Sequence, residues 1–207
     1  IGGESTRPGH QQITEEEEIE RVAPVIEAVK ARFDIPVSID SYKAKVAAAA
    51  IEAGADLVND IWGLKYDPEM AGLIAHTGVA CCLMHNKNNT EYQDFYPDML
   101  RETAECVKLA KEAGIADDKI ILDPGVGFGK NYEQNLETIL HMERFHELGY
   151  PMLLGTSRKS VIGLTLDLPA DQRVEGTLVT TVMAVMKKYA FVRVHDIKEN
   201  QRTIRMT

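Results

Sequence analysis

Cysteine is scarce in this chain of 207 residues, which has only Cys81, Cys82 and Cys106. One adjacent pair and one isolated thiol fit neither a disulfide framework nor the spacing of a zinc site, and they point to a reducing, cytoplasmic setting. Long apolar runs are missing too. None approaches the roughly 20 residues that cross a bilayer, so no membrane association is expected. Basic residues are few: 23 Lys and Arg face 32 Asp and Glu, for a formal net charge of −9. Binding along a phosphate backbone needs a dense basic face, so nucleic acid is set aside and a small ligand is expected. No glycine fingerprint follows an early strand, which argues against the nucleotide sites of an open doubly wound sheet.

What the chain does have is repetition. Six short apolar segments each end in polar residues: SIDS at 38–41, VND at 58–60, LMHN at 83–86, LDPG at 122–125, GTSRK at 155–159 and RVHD at 193–196. Strands are predicted over 37–40, 55–59, 79–84, 120–122, 152–154 and 191–194. Helices are predicted over 42–53, near 67–77, around 100–110, near 131–148 and near 171–189, several stopped by a glycine. Ahead of these, Thr14 and Glu17 form a capping-box pattern before Ile19, Val22, Ala23, Ile26 and Val29, giving a helix over 15–32 that Pro24 should bend. From Asp40 to His195 the strand ends recur about every 31 residues, the length of one βαβ unit.

The pattern predicts an α/β fold in a single domain over 1–207: a (β/α)8 TIM barrel, incomplete at its N-terminus, without the first strand and most of the second. Ile1-Gly2-Gly3, with no methionine before it, reads as the tail of a strand entering a loop, so upstream residues are expected to be missing. A chain of this kind should be poorly stable and largely inactive alone, because strand edges would lack partners. In closed barrels the functional groups collect on the rim where strands run out into loops.

Asp40, Asn59 and Asp123 close three of the strands. A carboxylate there can meet two parallel donors of a cyclic amidine, as on a pterin or guanine edge. The plainer reading of each is a helix N-cap. DPGVGFGK at 123–130 is not a Walker loop, because Pro124 replaces the first glycine and Asn131 the Ser or Thr. Its glycines instead let the backbone turn sharply against a flat ligand, with Phe128 available to contact it. Arg7, Arg158, Lys159, Arg193 and His195 fall at strand ends or in the loops after them, although the chain as a whole is acidic. An anionic group is expected there, with Ser160 and the amides of the next helix completing a cradle. The histidines show no pairing that suggests a metal, and no Ser/His/Asp nucleophile set can be assembled.

GGESTRPG at 2–9, SIDS at 38–41, NDI at 59–61, DPGVGFGK at 123–130, GTSRKS at 155–160 and RVHD at 193–196 resemble, in this order and nearly end to end, the dihydropteroate synthase family. ESTRPG with SRKS separates the synthases from the pterin-binding methyltransferases that share the barrel. The resemblance implies folate biosynthesis: 6-hydroxymethyl-7,8-dihydropterin diphosphate and 4-aminobenzoate condense to dihydropteroate and release diphosphate. In the family the C–O bond breaks first, and the arylamine attacks a pterin-stabilised cation.

By the same resemblance, Asp40, Asn59, Asp123 and Lys159 grip the pterin, Arg193 packs along its face, and Ile61, Met84, Phe128 and Gly155 shape the slot. Thr6, Arg7, Pro8, Ser160, Arg193 and His195 serve diphosphate or aminobenzoate, in a pocket that sulfonamides also occupy, with the loop at 4–12 as a lid. Lys159, Asp123, Arg193 and His195 are the implied catalytic set. Mg2+ is implied with the diphosphate, held by an asparagine of a first-strand loop that this chain lacks, so no metal ligand is expected here. A homodimer through the later helices is implied as well. Two other readings compete. A methyltetrahydrofolate-dependent corrinoid methyltransferase would need neither Arg7, Lys159, Ser160 nor His195, and a non-catalytic pterin-binding protein would not need every matched polar residue.

Overall fold

Strand and helix alternate through residues 1–5 and 11–207, which the computed structural model describes. Thr6, Arg7 and Pro8 lie outside the described residues. β1 (Ser38–Asp40), β2 (Leu57–Asp60), β3 (Ala80–Met84) and β4 (Ile120–Asp123) stand side by side in that order, and the pairings β1–β2 and β2–β3 are parallel. β5 (Leu153–Leu154) and β6 (Phe191–Val192) form a second parallel pair. The helices are α1 (Glu15–Lys30), α2 (Ala44–Glu52), α3 (Met70–Thr77), α4 (Phe95–Ala113), α5 (Tyr132–Leu140), α6 (Ser160–Leu166), α7 (Val174–Met186) and α8 (Ile197–Met206). Among the described residues no helix is long and apolar enough to cross a membrane.

The chain divides into two compact units, residues 1–85 with 103–121 and residues 86–102 with 122–207. In the first, Cys81, Cys82, Leu83 and Met84 of β3 are all buried, so this strand reads as a continuous apolar run rather than an alternating one. Val22 and Ile26 of α1 and Val46, Ala47 and Ala50 of α2 are fully buried where these helices pack together, and the small alanines permit the close approach. Ile1 behaves as a strand residue should: its amino group donates to the Ser38 carbonyl and its carbonyl accepts from the Asp40 amide, each at 2.7 Å. In the second unit Leu122 bridges Met152 in parallel, and Met142, Phe145, Met152 and Leu154 are buried.

Local signals mostly hold. Thr14 Oγ1 accepts from the Glu17 amide at 3.1 Å and starts α1, while the Glu17 carboxylate turns to Arg21 instead of back to the cap. α1 continues through Pro24. The helix predicted near 131–148 stops at Leu140 and continues only as a tighter 3-10 stretch, Met142–Leu148. α8 was not anticipated, and of α6 only its start.

Candidate functional site

β1 and β2 are parallel and in register so that Asp40 faces Asn59. Side chains at matched strand positions leave the sheet on the same side, and the Asn59 amide nitrogen donates to Asp40 Oδ1 at 2.9 Å in a buried setting. The N-cap of α2 is Lys43, so the helix-cap reading of Asp40 fails. Ile61 and Met84 are both buried in the same unit. Asp60, next to Asn59, has a different task. Its carboxylate accepts from the amides of Trp62 at 2.8 Å and Leu64 at 2.7 Å and shapes the turn after β2, while burial pushes its carboxyl up to about 6.

In the second unit Asp123 Oδ1 accepts from the Gly125 amide at 2.7 Å. The glycine loop after it is fastened from several sides: Asn135 Oδ1 accepts from the Gly127 amide at 2.6 Å, and the Tyr92 hydroxyl donates to the Gly129 carbonyl at 2.7 Å. Lys130 is buried beneath and donates to the carbonyls of Gly125 and Phe128, each at 3.0 Å. Gly127 has φ +88°, and a Cβ there would lie 3.3 Å from Lys159 Cδ, so glycine is required both by conformation and by the close passage of the lysine. Lys159 Nζ donates to the Val126 carbonyl and sits 4.8 Å from the centre of the Phe128 ring.

Gly155 stands beside both Asp123 and Lys159. A Cβ there would lie 3.6 Å from Asp123 Oδ2 and 3.9 Å from Lys159 Nζ. Burial pushes the Asp123 carboxyl above the usual range, opposed by Lys159, the Gly125 amide, Lys130 and Arg193. The same burial brings the Lys130 amine down to about 7, opposed by Asp123. Asp123, Lys130, Lys159 and Arg193 therefore form one electrostatic cluster.

His195 is exposed, but its ring is held: Nδ1 lies 2.9 Å from Ser157 Oγ, which also accepts from the His195 backbone amide at 3.1 Å. In the tautomer where the serine hydroxyl donates to Nδ1, the ring carries its proton on Nε2 and can donate it to an anion. Among the described residues no three His, Cys, Asp or Glu side chains are placed to hold a metal ion together.

A family model described as pterin binding enzyme matches residues 1–195. The chain belongs to the pterin-binding enzyme family. The dihydropteroate synthase of Clostridium beijerinckii is 61% identical over the whole chain, which spans 77% of that protein, and that of Bacillus subtilis is 50% identical, with 72% spanned. A solved dihydropteroate synthase from Clostridium difficile, 47% identical, superposes with a TM-score of 0.97 over 99% of this chain and 78% of its own. The fold class is accordingly the (β/α) barrel of the synthases, and the pterin-binding family resemblance drawn from the motifs stands.

Within that family frame, Asp123, Phe128, Gly155, Lys159 and Arg193 are gathered in the second unit, and Asp40, Asn59, Ile61 and Met84 in the first. One cation needs correction. Arg158 was expected to bind an anion, but its guanidinium is committed to Asp196, with Nε 3.2 Å from Oδ2 and Nη2 2.5 Å from Oδ1. Lys130, Ser157 and Arg173 escaped the sequence reading. Lys130 closes the DPGVGFGK string and could have been taken with it, but a lysine is ordinarily a surface residue.

Proposed function

We propose that the chain condenses 6-hydroxymethyl-7,8-dihydropterin diphosphate with 4-aminobenzoate to give dihydropteroate and diphosphate, a transferase step of folate biosynthesis. The observation that carries this reading is the juxtaposition at Gly155 of a buried acceptor, Asp123, and a cation, Lys159, each within 4 Å of where a Cβ on the glycine would lie. Burial raises the pKa of the Asp123 carboxyl, and the cyclic amidine of a pterin supplies two parallel donors that favour its ionised form. The Clostridium difficile relative was solved in the presence of pteroic acid, which supports a pterin compound as the ligand.

Asp40, Asn59, Asp123 and Lys159 are assigned to the pterin edge, with Ile61, Met84 and Phe128 as apolar walls and Arg193 along the ring face. Ser160, at the start of α6, and His195, through Nε2–H, are assigned to the diphosphate, and Thr6, Arg7 and Pro8 to aminobenzoate. The C–O bond of the pterin methylene breaks and its electron pair leaves with the diphosphate. The arylamine nitrogen then forms the C–N bond and loses a proton. Lys159, Arg193 and His195 offset the charge that develops on the leaving oxygen, so no side-chain nucleophile is needed. Magnesium is assigned to the substrate, as the counter-ion of its diphosphate.

The same reading makes the chain a cytoplasmic homodimer and a sulfonamide target. An open apolar groove lined by Leu136, Leu140, Val161, Leu166, Val179 and Met183 supports the pairing of two copies. Calorimetric titration with pterin diphosphate and with methyltetrahydrofolate tests the function. Tighter binding of the diphosphate, with diphosphate released only when aminobenzoate is added, is expected; preference for methyltetrahydrofolate would overturn it.

A further inference from the structure

Arg158 adopts the left-handed conformation, φ 59°, without being glycine, an arrangement that persists only where its surroundings impose it. Its guanidinium meets Asp196 through two nitrogens. The pair contributes little to folding, since its side chains remain 37% and 18% exposed. Yet its two partners sit at informative places. Arg158 lies between Ser157 and Lys159, and Asp196 directly follows His195.

Three further ties converge on the same segment. Ser157 Oγ holds both the backbone and the ring of His195. Arg173, just before α7, donates Nη1 to the carbonyls of Arg158 at 2.9 Å and Lys159 at 3.2 Å, and Nε to the Leu168 carbonyl at 2.9 Å. Its guanidinium lies so close over Gly163 that a Cβ there would come within 2.2 Å. Residues 157–159 are thus tied on one side to 195–196 and on the other to Arg173.

We propose that Arg158 and Asp196 are positioning residues whose ion pair locks the loop after β5 to the loop after β6, fixing Lys159 and Ser160 relative to Arg193 and His195 so that both sets meet one diphosphate. This rests on the proposed reading that Ser160 and His195 hold the diphosphate while Lys159 and Arg193, beside the pterin, offset the charge on its leaving oxygen. Arg158 acts as a strut and does not itself touch the anion.

The test compares Arg158→Ala, Asp196→Ala, their double variant and Lys159→Ala in titrations with inorganic diphosphate, in steady-state kinetics and in thermal unfolding. Each single pair variant should weaken inorganic diphosphate and raise KM for pterin diphosphate about tenfold, less than the roughly hundredfold that a 1 Å misplacement can cost. The melting temperature should barely move. The double variant should be no worse than either single, because both break one link, and Asp196→Asn, which keeps the acceptor shape, should fall between parent and Asp196→Ala. If Lys159→Ala leaves diphosphate binding unchanged, the diphosphate assignment itself fails. If Lys159→Ala weakens it while the pair variants bind like the parent, add their losses, or lose only thermal stability, the positioning role alone is overturned.

Discussion

Lys130 shows how far one side chain's surroundings can move its chemistry. Its amine is buried under the glycine loop, and a neutral amine still has the two N–H donors that the carbonyls of Gly125 and Phe128 require. Burial lowers it to about 7 in the folded protein, whereas a free lysine titrates near pH ~10.4. Between these values the unfolded chain binds the extra proton, so the contribution of Lys130 makes stability rise with pH across that window. The difference in unfolding free energy between the parent and Lys130→Met should therefore change in favour of the parent from pH 7 to pH 9, by at most about 1.4 kcal/mol per pH unit; a flat difference in urea titrations would show the amine stays charged. Gly155 gives the complementary case. A methyl at 3.6 Å from Asp123 Oδ2 and 3.9 Å from Lys159 Nζ is in ordinary contact, so Gly155→Ala should fold normally. It fills the space assigned to the pterin, and kcat/KM for pterin diphosphate should drop by about tenfold to a hundredfold, or roughly 1.4 to 2.8 kcal/mol. Parent-like kinetics would place the pterin elsewhere.

At the level of elements, the strand-helix connections are held by polar ties across long sequence separations. Lys43, the residue before α2, donates to Glu4 Oε2 at 2.7 Å, to Glu18 Oε2 of α1 at 2.8 Å and to the Ile13 carbonyl at 2.8 Å, while Glu4 also accepts from the Ile13 amide at 2.9 Å and from the Tyr42 hydroxyl. The three charged side chains are at most 9% exposed. Removing the lysine would strand two carboxylates away from water, so Lys43→Met should cost about 3–5 kcal/mol. Lys45→Ala, which removes an exposed pair with Glu15, should cost no more than about 1 kcal/mol. Equal midpoints in urea denaturation would refute the contrast. These ties also explain what could be read in advance. Asp40, Asn59 and Asp123 were legible because a strand end is a local feature of the chain. The partnership of Arg158 with Asp196, or of Lys43 with Glu4, depends on residues nearly forty positions apart that no periodicity brings together. α8 was illegible for another reason: its sequence is mostly polar, with Ile197 and Ile204 exposed, and only Asn200 is buried to mark an inner face.

Over the chain as a whole, charge and apolar surface point to different partners. A net charge of −9 repels anions at long range, so an anionic substrate depends on the local concentration of Lys159, Arg193 and His195. Part of the apolar surface lies together on α5, α6 and α7, where Leu136, Leu140, Leu166 and Val179 are 39%, 53%, 44% and 59% exposed around a groove of about 590 Å³. Contiguous apolar surface of this kind is a liability for a monomer in water and suits a second copy presenting the same face. Val179→Glu adds a charge to that face without disturbing a buried contact. Sedimentation equilibrium should give the dimer mass for the parent and the monomer mass for Val179→Glu. Val25→Glu, a change at another exposed valine, 47% exposed on α1, should leave the dimer intact. A parent that sediments as a monomer, or a Val179→Glu variant that remains dimeric, would remove this face as the contact. Loss of the dimer in both variants would mean that added negative charge, not the groove, drives the two copies apart.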